Sequence, residues 1–154
     1  MPVSQTMVQE DADNIRAAIE LLQGREMELV TVFYDTLFDK DHRPDARELF
    51  QRDLAPQKER LLKSIVFVVQ HYGDWDKLRP VLASMGRAHA RFDLGMQDYQ
   101  DVGVALLETL RYFAGKAWTK EMAASWTRVY TYCACIMLAA SVTVDQDPKH
   151  LLTV

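Results

Sequence analysis

Three polar side chains interrupt apolar helical faces in this chain, and their types are those that hold a small ligand. Tyr34 falls among Val30, Phe33, Leu37 and Phe38, and Gln57 stands one turn before Leu61, Ile65 and Val68. His89 closes the run of Leu82 and Met85. A neutral imidazole is a common metal ligand, and a phenol and a primary amide supply O–H and N–H donors. Burying any of them without a partner costs about 1–3 kcal/mol, so each requires one. Taken singly, each reads first as a core residue with a local hydrogen bond. Three on separate helices suggest a shared interior site, with one imidazole on one side and two hydrogen-bonding groups on the other. Walls of Phe, Leu, Val and Met around that set suit a flat apolar group.

The elements that must position these residues are helices. No stretch alternates with period two for long, and the breaks near Gly24, Asp41–Pro44, Leu54–Pro56, Tyr72–Asp74, Asp93–Gly95 and Gly115–Thr119 separate about seven helical segments. The fold class is all-α, with no convincing strand. A first helix over about Met7–Leu22 carries Ile15, Ala18, Ile19 and Leu22 on one face, and a second over about Arg25–Asp39 carries Tyr34. A short helix through Ala46, Leu49 and Phe50 follows, then one opened by Pro56. Asp74 is expected to cap a short turn, and Pro80 to stand in the first turn of the His89 helix. A helix over about Gln97–Ala114 faces inward with Tyr99, Val102, Leu106 and Leu110, and Gly103 on it permits a close neighbour. The last helix, about Thr119–Thr143, presents Trp126, Val129, Tyr130, Cys133 and Met137.

The 154 residues suit one domain, with a core over residues 7–144 and a polar tail over 145–154 that is expected to fray. A net charge of −4 without a basic stripe argues against nucleic acid and anionic membrane as partners. Neither a basic, apolar leader nor a spanning apolar run is visible, so a cytoplasmic location is expected. Cys133 and Cys135, two apart on a helix, point about 200° away from each other and are expected to stay reduced. Neither has a second ligand at zinc spacing.

Haem answers the description of the interior site, with His as axial ligand and the opposite pocket deciding what the iron binds. The chain resembles a globin, in particular the haem domain of bacterial flavohaemoglobins and single-domain bacterial haemoglobins. The matching pieces are Phe33-Tyr34-Asp35 through Leu37-Phe38, Glu48-Leu49-Phe50, Gln57 with Leu61, Pro80 nine residues before His89, Tyr99 with Val102-Gly103 and Leu106-Leu107, then Trp126 and Tyr130. They keep their order from about Leu29 to Met137.

The resemblance implies a three-on-three fold around haem b, iron protoporphyrin IX, with helices crossing at about 50°. It implies His89 as the proximal iron ligand, Tyr34 and Gln57 as the distal pair, and Phe50 packed on the porphyrin. Leu61 would wall the gas site, while Met85, Tyr99 and Val102 would line the haem pocket. The function implied is reversible binding of O2, NO or CO, as in oxygen transport or storage. Nitric oxide dioxygenation, for which a separate reductase is expected, and gas sensing through a partner are the alternatives. Whether copies of the chain assemble is left open. Arg87, Arg91 and Lys58 are candidates to meet the propionates.

Three departures from the flavohaemoglobin pattern bear on this. The glutamate that completes the proximal hydrogen-bonded group falls near Ser141, where no acid stands, and Ala88 replaces a lysine often found before the histidine. The link from Phe50 to Gln57 is also shorter than in flavohaemoglobins.

Overall fold

Apolar residues recurring every three or four positions fold into helices throughout a computed structural model that describes residues 4–144. The α-helices are α1 (Gln5–Glu20), α2 (Glu26–Leu37), α3 (Ala55–His71), α4 (Trp75–His89), α5 (Met96–Ala114) and α6 (Lys120–Val144). Short 3₁₀ turns cover Pro44–Leu49, Ala90–Phe92 and Gly115–Ala117, and no strand occurs among the described residues. The expected frayed tail lies outside the described residues.

The helices form two layers of three. α1, α3 and α4 make one, α2, α5 and α6 the other, and the layers meet where α4 and α1 cross α6 and where α2 crosses α3. The faces read from sequence are the ones turned inward: Ile15, Ala18 and Leu22 from the first segment, Val30, Phe33 and Leu37 from α2, and Trp126 and Val129 from α6 are all buried. Gly103 admits the Tyr130 ring, and a Cβ there would lie 2.6 Å from Tyr130 Cε1.

Three local expectations are corrected. Pro80 does not open the histidine helix but lies inside it, because α4 begins at Trp75. A proline in a helix interior costs about 3 kcal/mol. The added turn buries Leu78 completely, in line with Leu82, and each such side chain returns about 1.5–3 kcal/mol. Asp74 stands at the start of α4, but its side chain makes no capping bond. The short helix before α3 is a 3₁₀ turn, and Phe50 follows it in extended conformation, which carries its ring back toward α2.

Candidate functional site

Tyr34 is 3% exposed on α2, inside an aromatic nest. Its ring meets Phe33 and Phe50 edge-on, at centroid distances of 5.0 and 5.6 Å, and stacks on Phe38 at 5.7 Å. The first turn of α3 brings Gln57 over this nest, and Gln57 Nε2 donates to Tyr34 Oη at 3.0 Å. On the outer side, Arg60 Nη2 donates to Gln57 Oε1 at 2.8 Å. Burial pushes the Tyr34 phenol above its ordinary pKa, against the opposing influence of the Gln57 bond and the Arg60 charge. Tyr34 is therefore a neutral phenol at physiological pH. Its oxygen already accepts from Gln57, which leaves its O–H free to donate elsewhere.

His89 ends α4, half-buried. Its Nδ1 donates to the Met85 carbonyl, one turn back, at 2.6 Å. That bond fixes the ring and leaves the lone pair on Nε2, the tautomer a metal ligand needs. Nε2 makes no hydrogen bond to another described residue. The Phe92 ring stands edge-on, 6.4 Å away.

Tyr99 is buried on α5, and its hydroxyl has no hydrogen-bond partner among the described residues. Its backbone carbonyl accepts from Tyr130 Oη. Burial alone raises the pKa of the Tyr99 phenol. Ser141 does not reach it: Ser141 Oγ donates to the Leu138 carbonyl of its own helix at 2.7 Å. Phe50, Leu61, Met85 and Val102 pack against the core yet are only partly buried.

Tyr34 thus meets both Gln57 and Phe50, whereas neither His89 nor Tyr99 is hydrogen-bonded to these three. Of the basic candidates, Arg91 lies over the Phe92 ring at 4.6 Å, and Lys58 and Arg87 make no ion pair among the described residues. Cys133 is buried, its thiol pushed up to about 12, while Cys135 two residues on is exposed, so the two face opposite ways. Arg60 was not singled out by sequence reasoning. It stands three residues after Gln57, the spacing at which side chains on a helix meet.

The globin family model matches residues 32–137. The chain belongs to the globin family. This globin is 27% identical to a flavohemoprotein of Vibrio cholerae over 149 residues, 95% of this chain and 37% of that protein. It is 25% identical to one of Pseudomonas aeruginosa over 134 residues, 84% and 34% of the two chains. It spans about a third of the length of the curated relatives it matches. Its fold is that of a bacterial globin from Campylobacter jejuni, with a TM-score of 0.76, 17% identity and coverage of 90% and 99%. It is also that of an engineered carbene transferase built on a putative nitric oxide dioxygenase from Rhodothermus marinus, with a TM-score of 0.79, 19% identity and coverage of 94% and 97%. No helix among the described residues is long and apolar enough to cross a membrane.

Membership of the globin family implies a haem group. The donor set suits one: an imidazole with a free Nε2 lone pair, a buried hydroxyl without a partner, and partly buried apolar side chains that a flat group would cover.

Proposed function

We propose that this globin holds haem b through His89 and reversibly binds O2 and other diatomic gases on the side of Tyr34 and Gln57. Haem iron, when bound, supplies the open coordination position at which a gas ligand docks. The chain's own residues supply the rest. His89, oriented by the Met85 carbonyl, gives the axial nitrogen. Phe50 packs on the porphyrin, Leu61 walls the gas site, and Met85, Tyr99 and Val102 line the pocket.

The observation that carries this reading is the bond from Gln57 Nε2 to Tyr34 Oη, because it leaves both the phenol proton and a second amide proton for a ligand. O2 draws negative charge toward its outer atom on binding, and donors in a dry pocket hold such charge far better than in water. Purified protein should show a haem spectrum that changes reversibly with O2. Tyr34→Phe should speed O2 release on the order of 10- to 100-fold, the worth of one hydrogen bond to a partly charged acceptor. CO, which carries less charge, should respond much less. His89→Ala should abolish the five-coordinate ferrous spectrum, and added imidazole should partly restore it. An unchanged Soret band in that variant would sink the assignment.

The kinship with flavohemoproteins supports a second reading, nitric oxide dioxygenation with a separate reductase. Ser141, turned onto its own helix and away from Tyr99, favours the carrier. Stopped-flow consumption of NO by the oxygenated protein, with and without a reductase, decides between them.

A further inference from the structure

The Gln57 side chain can sit either way round, and the two orientations have opposite consequences. With its NH2 group inward it donates to Tyr34 Oη and leaves the phenol proton free. Turned over, its carbonyl would accept that proton and withdraw the donor from the site. Tyr34 cannot choose between them, because a hydroxyl both donates and accepts. The choice comes from the other end of the amide. Arg60 carries five N–H donors and no acceptor, so only a carbonyl can face it. Its Nη2 stands 2.8 Å from Gln57 Oε1.

We propose that Arg60 is a positioning residue of the distal site: its guanidinium holds the Gln57 amide carbonyl outward and NH2 inward, so that Tyr34 keeps its hydroxyl proton for the bound gas. The proposal rests on the gas-binding reading above. Every link in the series Arg60, Gln57, Tyr34 then donates inward, from the exposed end of the chain to the buried one. The guanidinium fork offers the amide only donors, so its chemistry fixes the direction of the series. Its charge at the outer end also polarises the amide and strengthens the inner donors. A lysine would keep the charge but not the rigid fork, and would restore the arrangement only in part.

The test replaces the donor and keeps the stem, in Arg60→Met. Three quantities are read: the side-chain amide signals of Gln57 by NMR, in the haem-free chain and in the CO complex; the C–O stretch; and the rate of O2 release. Wild type should give one Gln57 amide pair and one dominant C–O band. Arg60→Met should broaden or double the amide pair, add a C–O band at higher frequency, and speed O2 release by about 2- to 10-fold. Arg60→Lys should recover part of each change. In a Gln57→Leu background, Arg60→Met should have no further effect. An unchanged amide pair and C–O band would overturn the proposal, as would equal acceleration in the Gln57→Leu background, which would mean that Arg60 acts on the ligand or the haem directly. If the protein takes up no haem, the gas-binding reading falls, and the amide spectrum of the haem-free chain still decides whether Arg60 orients Gln57.

Discussion

The backbone of α4 at Gly86 lies directly on the backbone of α6 at Met137. A Cβ on Gly86 would stand 2.6 Å from Met137 Cα and closer still to the Met137 carbonyl oxygen. This contact comes three residues before His89, so it sets how near the histidine end of α4 lies to α6. Gly86→Ala would gain about 1 kcal/mol of helix propensity and lose more by forcing the helices apart, since overpacking costs about 1–3 kcal/mol with flexible neighbours and more against backbone. The expected outcome is a lower urea midpoint together with faster haem loss. A variant at least as stable as wild type would show that the crossing yields easily.

That relationship also marks where sequence reading stops. The helical faces and the polar trio Tyr34, Gln57 and His89 were legible because each stands at helical spacing from apolar residues on its own segment. Gly86 is only a weak helix former until α6 is laid against it, and Arg60 is only a surface charge until the Gln57 amide is seen beneath it. Pro80 misled because its local preference for a first turn was outweighed by the burial of Leu78, a tertiary gain invisible to position rules. Asp11 could have been found: it lies four residues before Ile15, on the face that α1 buries.

Asp11 is fully buried and ties α1 to α6. Arg128 Nη2 and Nε donate to its carboxylate at 2.6 and 2.9 Å, Ser125 Oγ donates at 2.7 Å, and Asn14 Nδ2 donates in turn to Ser125 Oγ at 2.9 Å. Asp11→Ala removes the shared acceptor and strands the buried Ser125 hydroxyl, while Arg128, with a side chain 43% exposed, can turn to water. The loss should therefore be about 1–3 kcal/mol by urea unfolding, short of the 3–5 kcal/mol seen when a charge is left buried. The haem spectrum of the folded variant should be unchanged. An unaltered unfolding curve would mean that the network contributes nothing net.

His42 lies between two carboxylates, with Nδ1 2.7 Å from Asp39 Oδ1 and Nε2 2.8 Å from Glu108 Oε2. Both nitrogens must carry protons to serve both partners, and the bond to Asp39, joined by that to Glu108, raises the His42 pKa against the opposing effect of burial. A raised folded pKa gives stability that is complete below the unfolded value of about 6.5 and is lost as pH rises through the folded value. The Asp39 pKa is lowered, chiefly by the same bond, so its share is lost instead as pH falls through its folded value. The stability difference between wild type and His42→Gln should then shrink as pH rises from about 6 to above the folded His42 value, with no change in the haem spectrum. A difference flat across that range would show that folding leaves the proton affinity of His42 unchanged.

The proposed ligation of haem by His89 carries an expectation of its own. The flavohaemoglobin pattern has a hydrogen-bonded group of histidine, tyrosine and glutamate that pushes electron density toward the iron. Here Ser141 Oγ is engaged with the Leu138 carbonyl, the Tyr99 hydroxyl has no partner among the described residues, and His89 Nδ1 donates to the Met85 carbonyl. A neutral carbonyl withdraws a proton from imidazole far less than a carboxylate does, so His89 should behave as ordinary neutral imidazole. The iron–histidine stretch by resonance Raman should fall in the range of oxygen-carrying globins, below that of peroxidases, and peroxide turnover should be slow. Ser141→Glu should move the stretch upward if the new carboxylate reaches Tyr99. Should the wild-type stretch already stand at the peroxidase end, another acceptor serves in place of the missing acid, and the dioxygenase reading moves ahead of the carrier.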